Sequence, residues 1–171
     1  VVKEAFVLRV PENLDYAATA PLLCAGVTVY SPLKHWKVGP GMKVAIMGLG
    51  GLGHMAVKFA AAMGAETYVL GHSPSKAADA KEMGATEYLI TKDSYESHKD
   101  TFDVILNTTS TDLEVDSLVG MLKVGGTLIF VGVSGNNQSF HPFSLITGLK
   151  SIAGANTGSI SGTQEMLDFC G

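Results

Sequence analysis

The chain has 171 residues, a length that suits one domain with a full hydrophobic core. Its net charge is −4 and no cluster of basic residues indicates a nucleic-acid partner. No apolar run approaches the roughly 18 residues needed to cross a bilayer, and the first residues do not match a secretory signal. The two cysteines lie far apart, so we expect a reducing, cytoplasmic setting.

The first forty residues differ in composition from the rest of the chain. Residues 14–36 are rich in Ala, Leu and Val and predict a helix that is interrupted at Pro21 and Pro32. We therefore divide the chain into a connecting segment, 1–37, and a domain, 38–171. The sequence starts without Met and ends within a predicted helix that lacks a cap, so we expect a longer parent protein.

From residue 38 onward, short apolar strands alternate with amphipathic helices, a pattern typical of a parallel sheet with helices on both faces. The predicted strands are 43–47, 67–70, 87–90, 102–107, 127–131 and 151–154. The predicted helices are 51–63, 73–83, 111–121 and 143–149, with a last helix that opens at 161. Residues 111–114 and 161–164 match capping boxes that would start two of these helices. Six strands in this arrangement predict an α/β Rossmann fold with a six-stranded, doubly wound parallel sheet.

A glycine-rich turn follows the first predicted strand and opens the next helix. It consists of Gly48, Leu49, Gly50, Gly51, Leu52 and Gly53. In a dinucleotide site, the first glycine allows a tight turn, the second lets the pyrophosphate approach the backbone, and the third lets the helix lie close to the sheet. The helix N-terminus then offers free N–H groups to the phosphates. The turn predicts dinucleotide binding; the alternatives are a turn that binds nothing and a site for a nucleoside-type ligand such as S-adenosylmethionine.

The end of the second predicted strand indicates which dinucleotide would bind. An NAD site places Asp or Glu there to bind the ribose 2′-hydroxyl, but here no carboxylate follows the strand, and Glu66 precedes it at the opposite edge. The residues that do follow include Gly71, His72, Ser73 and Lys76. They favour the 2′-phosphate of NADP, and a polar surface loop with a helix cap is the alternative. A histidine where arginine is commoner predicts a weak or pH-dependent phosphate contact.

One further segment, residues 20–33, has the sequence Ala-Pro-Leu-Leu-Cys-Ala-Gly-Val-Thr-Val-Tyr-Ser-Pro-Leu. It resembles the segment that precedes the cofactor domain in zinc-dependent medium-chain alcohol dehydrogenases, most closely in their NADP-dependent cinnamyl alcohol dehydrogenase group. Shorter matches to the same group follow in order at 48–54, 63–65, 83–85, 123–126, 151–154 and 167–170. The resemblance therefore covers nearly the whole chain.

The resemblance implies a role for each matching residue. Cys24 would be one ligand of a catalytic zinc, and Thr28 would lie beside the nicotinamide. The glycine turn would hold the pyrophosphate, and Gly71, His72 and Lys76 would surround the 2′-phosphate. Later cofactor contacts would come from Thr108, Val131, Gly132, Ala155, Asn156 and Thr157.

The activity that the resemblance implies is hydride transfer between NADP(H) and a primary alcohol or aldehyde, with zinc polarising the substrate oxygen. A catalytic zinc needs about three protein ligands, and only Cys24 stands in a matching place. We therefore expect zinc in the full-length parent and no turnover by this chain alone. Without the resemblance, a lone cysteine would be taken as a small core residue.

Two other functions remain open from the sequence. One is a zinc-free quinone or enoyl reductase of the same superfamily, against which Cys24 argues. The other is a non-catalytic NADP-sensing module. The expected partner is a small-molecule alcohol or aldehyde, without nucleic acid or membrane, and a homodimer through the strand at 151–154 is expected by analogy only.

Overall fold

The computed structural model describes all 171 residues. The strands are β1 (Lys43–Met47), β2 (Glu66–Gly71), β3 (Glu87–Ile90), β4 (Phe102–Asn107), β5 (Leu122–Phe130) and β6 (Ser151–Gly154). The helices are α1 (Tyr16–Thr19), α2 (Ala25–His35), α3 (Gly51–Ala62), α4 (Ala77–Glu82), α5 (Thr91–Ser94), α6 (Val115–Gly120), α7 (Phe143–Ile146) and α8 (Ile160–Cys170). Short 3-10 turns cover Glu4–Phe6, Ala20–Leu23 and Pro74–Lys76. No helix has both the length and the hydropathy that a membrane span requires.

The six strands form one sheet in the order β3-β2-β1-β4-β5-β6, and every neighbouring pair is parallel. The chain winds outward from β1 in one direction through β3, then returns to the middle and winds outward in the other direction from β4. This reversal between β1 and β4 leaves a crevice at the carboxyl ends of the strands, where ligands of such sheets bind. The predicted doubly wound Rossmann fold is confirmed.

Alternation along each strand gives the sheet two buried faces. In β1, Val44 and Ile46 belong to one hydrophobic cluster, and Ala45 and Met47 belong to the other. The first cluster is completed mainly by residues of α2, α3 and α8, and the second mainly by residues of α6. Because both faces are covered, the strands are almost continuously apolar, as parallel strands require.

Helix α2 is packed into the first of these clusters. Val27, Val29 and Leu33 are almost fully buried there. A Cβ on Gly26 would lie 3.0 Å from the sulfur of Met166, so α2 and α8 approach closely. The Tyr30 hydroxyl also donates a hydrogen bond to Glu165 on α8 at 3.1 Å.

The two prolines of the first segment behave differently from one another. Pro21 ends the helical run as predicted, since a 3-10 turn replaces the α-helix at Ala20–Leu23. The prediction that Pro32 interrupts the helix is wrong, because Pro32 lies inside α2. Proline has no N–H to donate to the carbonyl four residues earlier, and the burial of the apolar face of α2 outweighs that single lost bond.

Both predicted capping boxes are wrong. Helix α8 begins at Ile160, and its cap is Ser159, whose Oγ accepts the N–H of Gly162 at 3.0 Å. Helix α6 begins only at Val115 and has no side-chain cap. The residues before it instead bind a neighbouring loop, since the Leu113 N–H donates to Gln138 at 2.9 Å. A capping motif is short and local, and it lost to a neighbouring cap at Ser159 in one case and to a tertiary bond with Gln138 in the other.

Other element ends shift by a few residues. Strand β5 begins at Leu122 rather than 127, and α7 ends at Ile146 rather than 149. The predicted helix 73–83 is a 3-10 turn followed by α4, and Ser73 forms no side-chain cap.

Candidate dinucleotide site at the carboxyl end of the sheet

The turn between β1 and α3 is built on glycines for two separate steric reasons. Gly48 has φ +90°, a conformation that L side chains rarely adopt, and a Cβ there would lie 2.6 Å from the Thr109 methyl group. A Cβ on Gly53 would overlap the carbonyl oxygen of Gly48. One side of the turn is therefore filled by the backbone of Gly48 and by Thr108 and Thr109, which follow β4.

The outer side of the same turn is open. A Cβ on Gly50 or Gly51 would have no atom within 4 Å. The first hydrogen bond of α3 runs from the His54 N–H to the Gly50 carbonyl at 2.9 Å, and no side chain caps the helix. The N–H groups at the start of α3 therefore have no intrahelical partner and stand beside open space, which is the arrangement that binds a phosphate.

A cavity of about 290 Å³ adjoins the turn. Its lining comes from the ends of β1, β2 and β4, the 3-10 turn before α4, and β3. The residues are Gly48, Leu49, Gly50, Gly71, His72, Ser73, Lys76, Tyr88, Thr108 and Thr109. All but Tyr88 and Thr109 were predicted from the sequence, so the structure brings half of the predicted cofactor contacts to one place.

The cavity contains a lysine and no carboxylate. Lys76 reaches across from the 3-10 turn, and its Nζ donates to the Leu49 carbonyl at 3.1 Å. A lysine ammonium has three donors, so this bond leaves others for a ligand. Glu66, the acid that begins β2, lies at the opposite end of the sheet, 3.6 Å from the Lys43 ammonium.

Residues at the end of β4 hold the floor of the cavity in place. The Thr108 hydroxyl donates to the Met47 carbonyl at 2.8 Å and so joins the ends of β4 and β1. The buried Asn107 side chain accepts the N–H and the hydroxyl of Thr109 at 3.0 and 2.8 Å. A Cβ on Gly132 would overlap the Thr109 carbonyl, so the chain after β5 also packs against this floor.

The remaining predicted contacts do not line this cavity. Gly53 is buried, and Leu52 packs against the apolar cluster beneath α3. Residues 155–157 lie in a second cavity of about 260 Å³ beside α2. Val131 and Gly132 both donate their N–H groups to the Asn107 carbonyl at 3.0 Å. These residues border the carboxyl end of the sheet at other points.

The zinc ligand that the resemblance implies stands alone in this chain. Cys24 is exposed and free, between a 3-10 turn and α2, and its carbonyl accepts the Thr28 N–H at 3.1 Å. No group of three His, Cys, Asp or Glu residues in the structure is arranged to hold a metal ion. The residues present therefore do not form a zinc site by themselves.

Three residues at the cavity, Tyr88, Asn107 and Thr109, were not predicted from the sequence. Thr109 and Asn107 had a usable signal, because polar residues at the carboxyl end of a central parallel strand face the crevice. Tyr88 reaches the cavity from an adjacent strand, and only the register between β2 and β3 reveals that.

The chain was compared with protein families and with curated relatives. A family model described as zinc-binding dehydrogenase matches residues 51–171. The probable formaldehyde dehydrogenase AdhA of Bacillus subtilis (strain 168) is 53% identical over 171 residues, which cover 99% of this chain and 49% of that protein. NADP-dependent alcohol dehydrogenase C 1 of Mycolicibacterium smegmatis is 47% identical, again over 99% of this chain and 49% of that protein.

The chain is also similar to solved structures of alcohol dehydrogenases. A cinnamyl alcohol dehydrogenase from Sorghum bicolor, SbCAD4, superposes with a TM-score of 0.94 and 41% identity, over 99% of this chain and 49% of that one. A cinnamyl alcohol dehydrogenase from Helicobacter pylori, solved with NADP(H), gives a TM-score of 0.88 and 39% identity, over 98% and 48%. This chain thus spans about half the length of the relatives it matches. The resemblance seen in the sequence is confirmed: the chain belongs to the zinc-binding dehydrogenase family.

Proposed function

We propose that this chain is the NADP(H)-binding part of a zinc-dependent alcohol dehydrogenase or aldehyde reductase, which transfers hydride between NADP(H) and a primary alcohol or aldehyde. One observation carries the proposal. The open glycine turn adjoins a cavity that contains Lys76 and no carboxylate. Relatives whose names specify NADP support the same choice of cofactor.

The glycine turn fits a pyrophosphate. The space above Gly50 is free of protein atoms, and a Cβ there would project into it. The unpaired N–H groups at the start of α3 would donate to the phosphate oxygens, and the positive end of the helix dipole would favour their charge. Leu49 and Gly51 complete this part of the site through their backbone.

The rim formed by Gly71, His72, Ser73 and Lys76 fits a 2′-phosphate. Lys76 supplies a fixed positive charge, and His72 and Ser73 supply donors. A carboxylate at this rim would repel the phosphate and bind a free ribose hydroxyl instead. Its absence therefore favours NADP over NAD.

The nicotinamide ring, when bound, accepts or releases the hydride. Thr28, Val131 and Gly132, with Ala155, Asn156 and Thr157, are the residues we expect to hold and orient that end of the cofactor. Cys24 would supply one ligand to a catalytic zinc, for which about three protein ligands are needed. Because this chain offers only that one, we propose that it binds NADP(H) and does not reduce aldehydes alone.

Calorimetric titration with NADPH and NADH tests the cofactor assignment. We expect tighter binding of NADPH than of NADH. Lys76→Met should reduce the ratio of the two affinities about tenfold or more, because a charge-assisted contact to the 2′-phosphate is lost. Lys81→Met is the matched control, since Lys81 is exposed on α4 outside the cavity and should leave both affinities unchanged. Equal or tighter binding of NADH by the unaltered chain would refute the assignment, and aldehyde reduction by the chain alone would refute its proposed inactivity.

The homodimer expected through β6 stays a prediction. Strand β6 is an edge of the sheet and pairs only with β5. Sedimentation equilibrium would establish whether the chain associates.

A further inference from the structure

Tyr88 occupies the space that a side chain at position 71 would need. In the β2–β3 register, Tyr88 is opposite Val69. Side chains on a strand alternate, so Gly71 shares the face of Val69 and lies diagonally from Tyr88 at the carboxyl end. A Cβ on Gly71 would overlap the phenol, with the hydroxyl oxygen as the nearest atom. The missing side chain at 71 therefore lets the Tyr88 hydroxyl reach the cavity.

The polar end of Tyr88 stands among the residues of the phosphate rim. It lines the same cavity as His72, Ser73 and Lys76, and the residue is only partly buried. Burial raises the pKa of the Tyr88 hydroxyl, and the backbone N–H of Ser73 opposes that rise to a smaller degree. The group therefore carries its proton at neutral pH.

The Tyr88 hydroxyl can still donate a hydrogen bond to a ligand. A tyrosine hydroxyl donates one hydrogen bond and can accept others. No protein acceptor takes the Tyr88 proton in the structure, and the cavity is where a ligand acceptor would lie.

We propose that Tyr88 is a specificity-determining residue of the NADP site, donating its hydroxyl proton to the 2′-phosphate from the position that a side chain at residue 71 would otherwise occupy. This inference rests on the proposed function, since it assigns a contact within that site. A hydrogen bond to a charged phosphate is roughly twice as strong as one to a neutral hydroxyl. The contact therefore discriminates between NADP and NAD.

The test is Tyr88→Phe, which keeps the ring and removes only the hydroxyl. We expect its affinity for NADPH to fall about tenfold or more, while its affinity for NADH stays within about twofold of the unaltered chain. Adenosine 2′,5′-bisphosphate and adenosine 5′-monophosphate, used as smaller probes, should show the same difference. Tyr95→Phe is the matched control, because Tyr95 is another partly buried tyrosine that lies outside the cavity.

The outcomes separate this inference from the function on which it rests. If the unaltered chain binds neither dinucleotide, the proposed function fails. If the unaltered chain prefers NADPH and Tyr88→Phe keeps that preference, only the role of Tyr88 is overturned. An equal loss of NADPH and NADH affinity in Tyr88→Phe would also overturn it, because a packing role would affect both ligands alike.

Discussion

Polar groups are paired with one another at the amino end of the sheet, whereas N–H groups at the carboxyl end have no partner. At the amino end, the Asp103 carboxylate accepts the Lys43 backbone N–H and the Lys123 ammonium, both at 2.7 Å. Glu66 accepts the Tyr68 hydroxyl beside them. At the carboxyl end, the N–H groups that open α3 have no intrahelical partner, and Lys76 is the charged residue that lines the adjoining cavity.

This difference favours the carboxyl end over the amino end as the proposed binding site. Paired charges at the amino end stabilise the fold and leave little for a ligand to bind. Unpaired donors at the carboxyl end would be costly if they were buried, but there they face open space. We therefore expect changes at the amino end to alter stability and changes at the carboxyl end to alter binding.

The largest expected effects come from two glycines of the same turn. Gly53→Ala should lower the free energy of unfolding by about 3 kcal/mol, because its Cβ would overlap backbone that cannot easily move. Gly50→Ala should cost less than about 1 kcal/mol as a helix-cap change, yet weaken NADPH binding about tenfold or more by occupying the phosphate space. Urea unfolding and calorimetric titration measure the two quantities.

Gly120→Ala is the control for both variants. A Cβ there also meets no atom within 4 Å, and the residue ends α6 away from the cavity. It should leave the affinity for NADPH unchanged. If Gly50→Ala bound NADPH as well as Gly120→Ala does, the turn would not be the pyrophosphate site.

A smaller effect is expected from Asp103 at the amino end. Asp103→Ala removes the acceptor of the Lys43 N–H and the partner of Lys123, and should lower the free energy of unfolding by about 1–2 kcal/mol. Asp103→Asn keeps an acceptor and should cost less. Neither change should alter the NADPH affinity. A change in that affinity would contradict the claim that the amino end affects stability and not binding.

The smallest effect is expected in alkaline solution. Burial, followed by the bond to Glu66, raises the pKa of Tyr68 from 10.0 to about 12. A raised pKa favours the protonated form in the folded state, so its stabilisation is complete below pH 10 and is lost as the pH rises toward 12. In urea unfolding at several pH values, Tyr68→Phe should show a shallower loss of stability over this range than the unaltered chain.

Tyr30 provides the comparison for this prediction. Burial and Glu165 raise its pKa to about 12 as well, but it lies on α2 against α8 rather than on a strand of the sheet. Tyr30→Phe should flatten the alkaline profile in the same way. An identical profile for both variants and the unaltered chain would show that neither tyrosine contributes to it.

The sequence predicted the sheet more accurately than the helix ends. The strands at 43–47, 87–90, 102–107 and 151–154 have the bounds that the apolar pattern indicated. In β1 and β4 nearly every residue is buried, which leaves a strong local signal. The helix starts at 111 and 161 were wrong, because Gln138 and Ser159 supplied other hydrogen bonds. The glycine turn was located by its motif, since its steric needs are local.

Other parts of the site could not be predicted from the pattern of residues along the sequence. Tyr88 enters the cavity only through the diagonal pairing of β2 with β3. No group of three His, Cys, Asp or Glu residues in the chain could hold a metal ion, so ligands to accompany Cys24 could not be predicted from these residues.

The most direct test of the difference between the two ends is an NMR titration of the labelled chain with NADP⁺. We predict that the amide signals of residues 48–53, 71–73, 75 and 76 will shift, while those of Lys43, Glu66, Asp103 and Lys123 will stay in place. Shifts confined to the amino-end residues, or no shift in the glycine turn at saturating NADP⁺, would contradict the placement of the cofactor at the carboxyl end of the sheet.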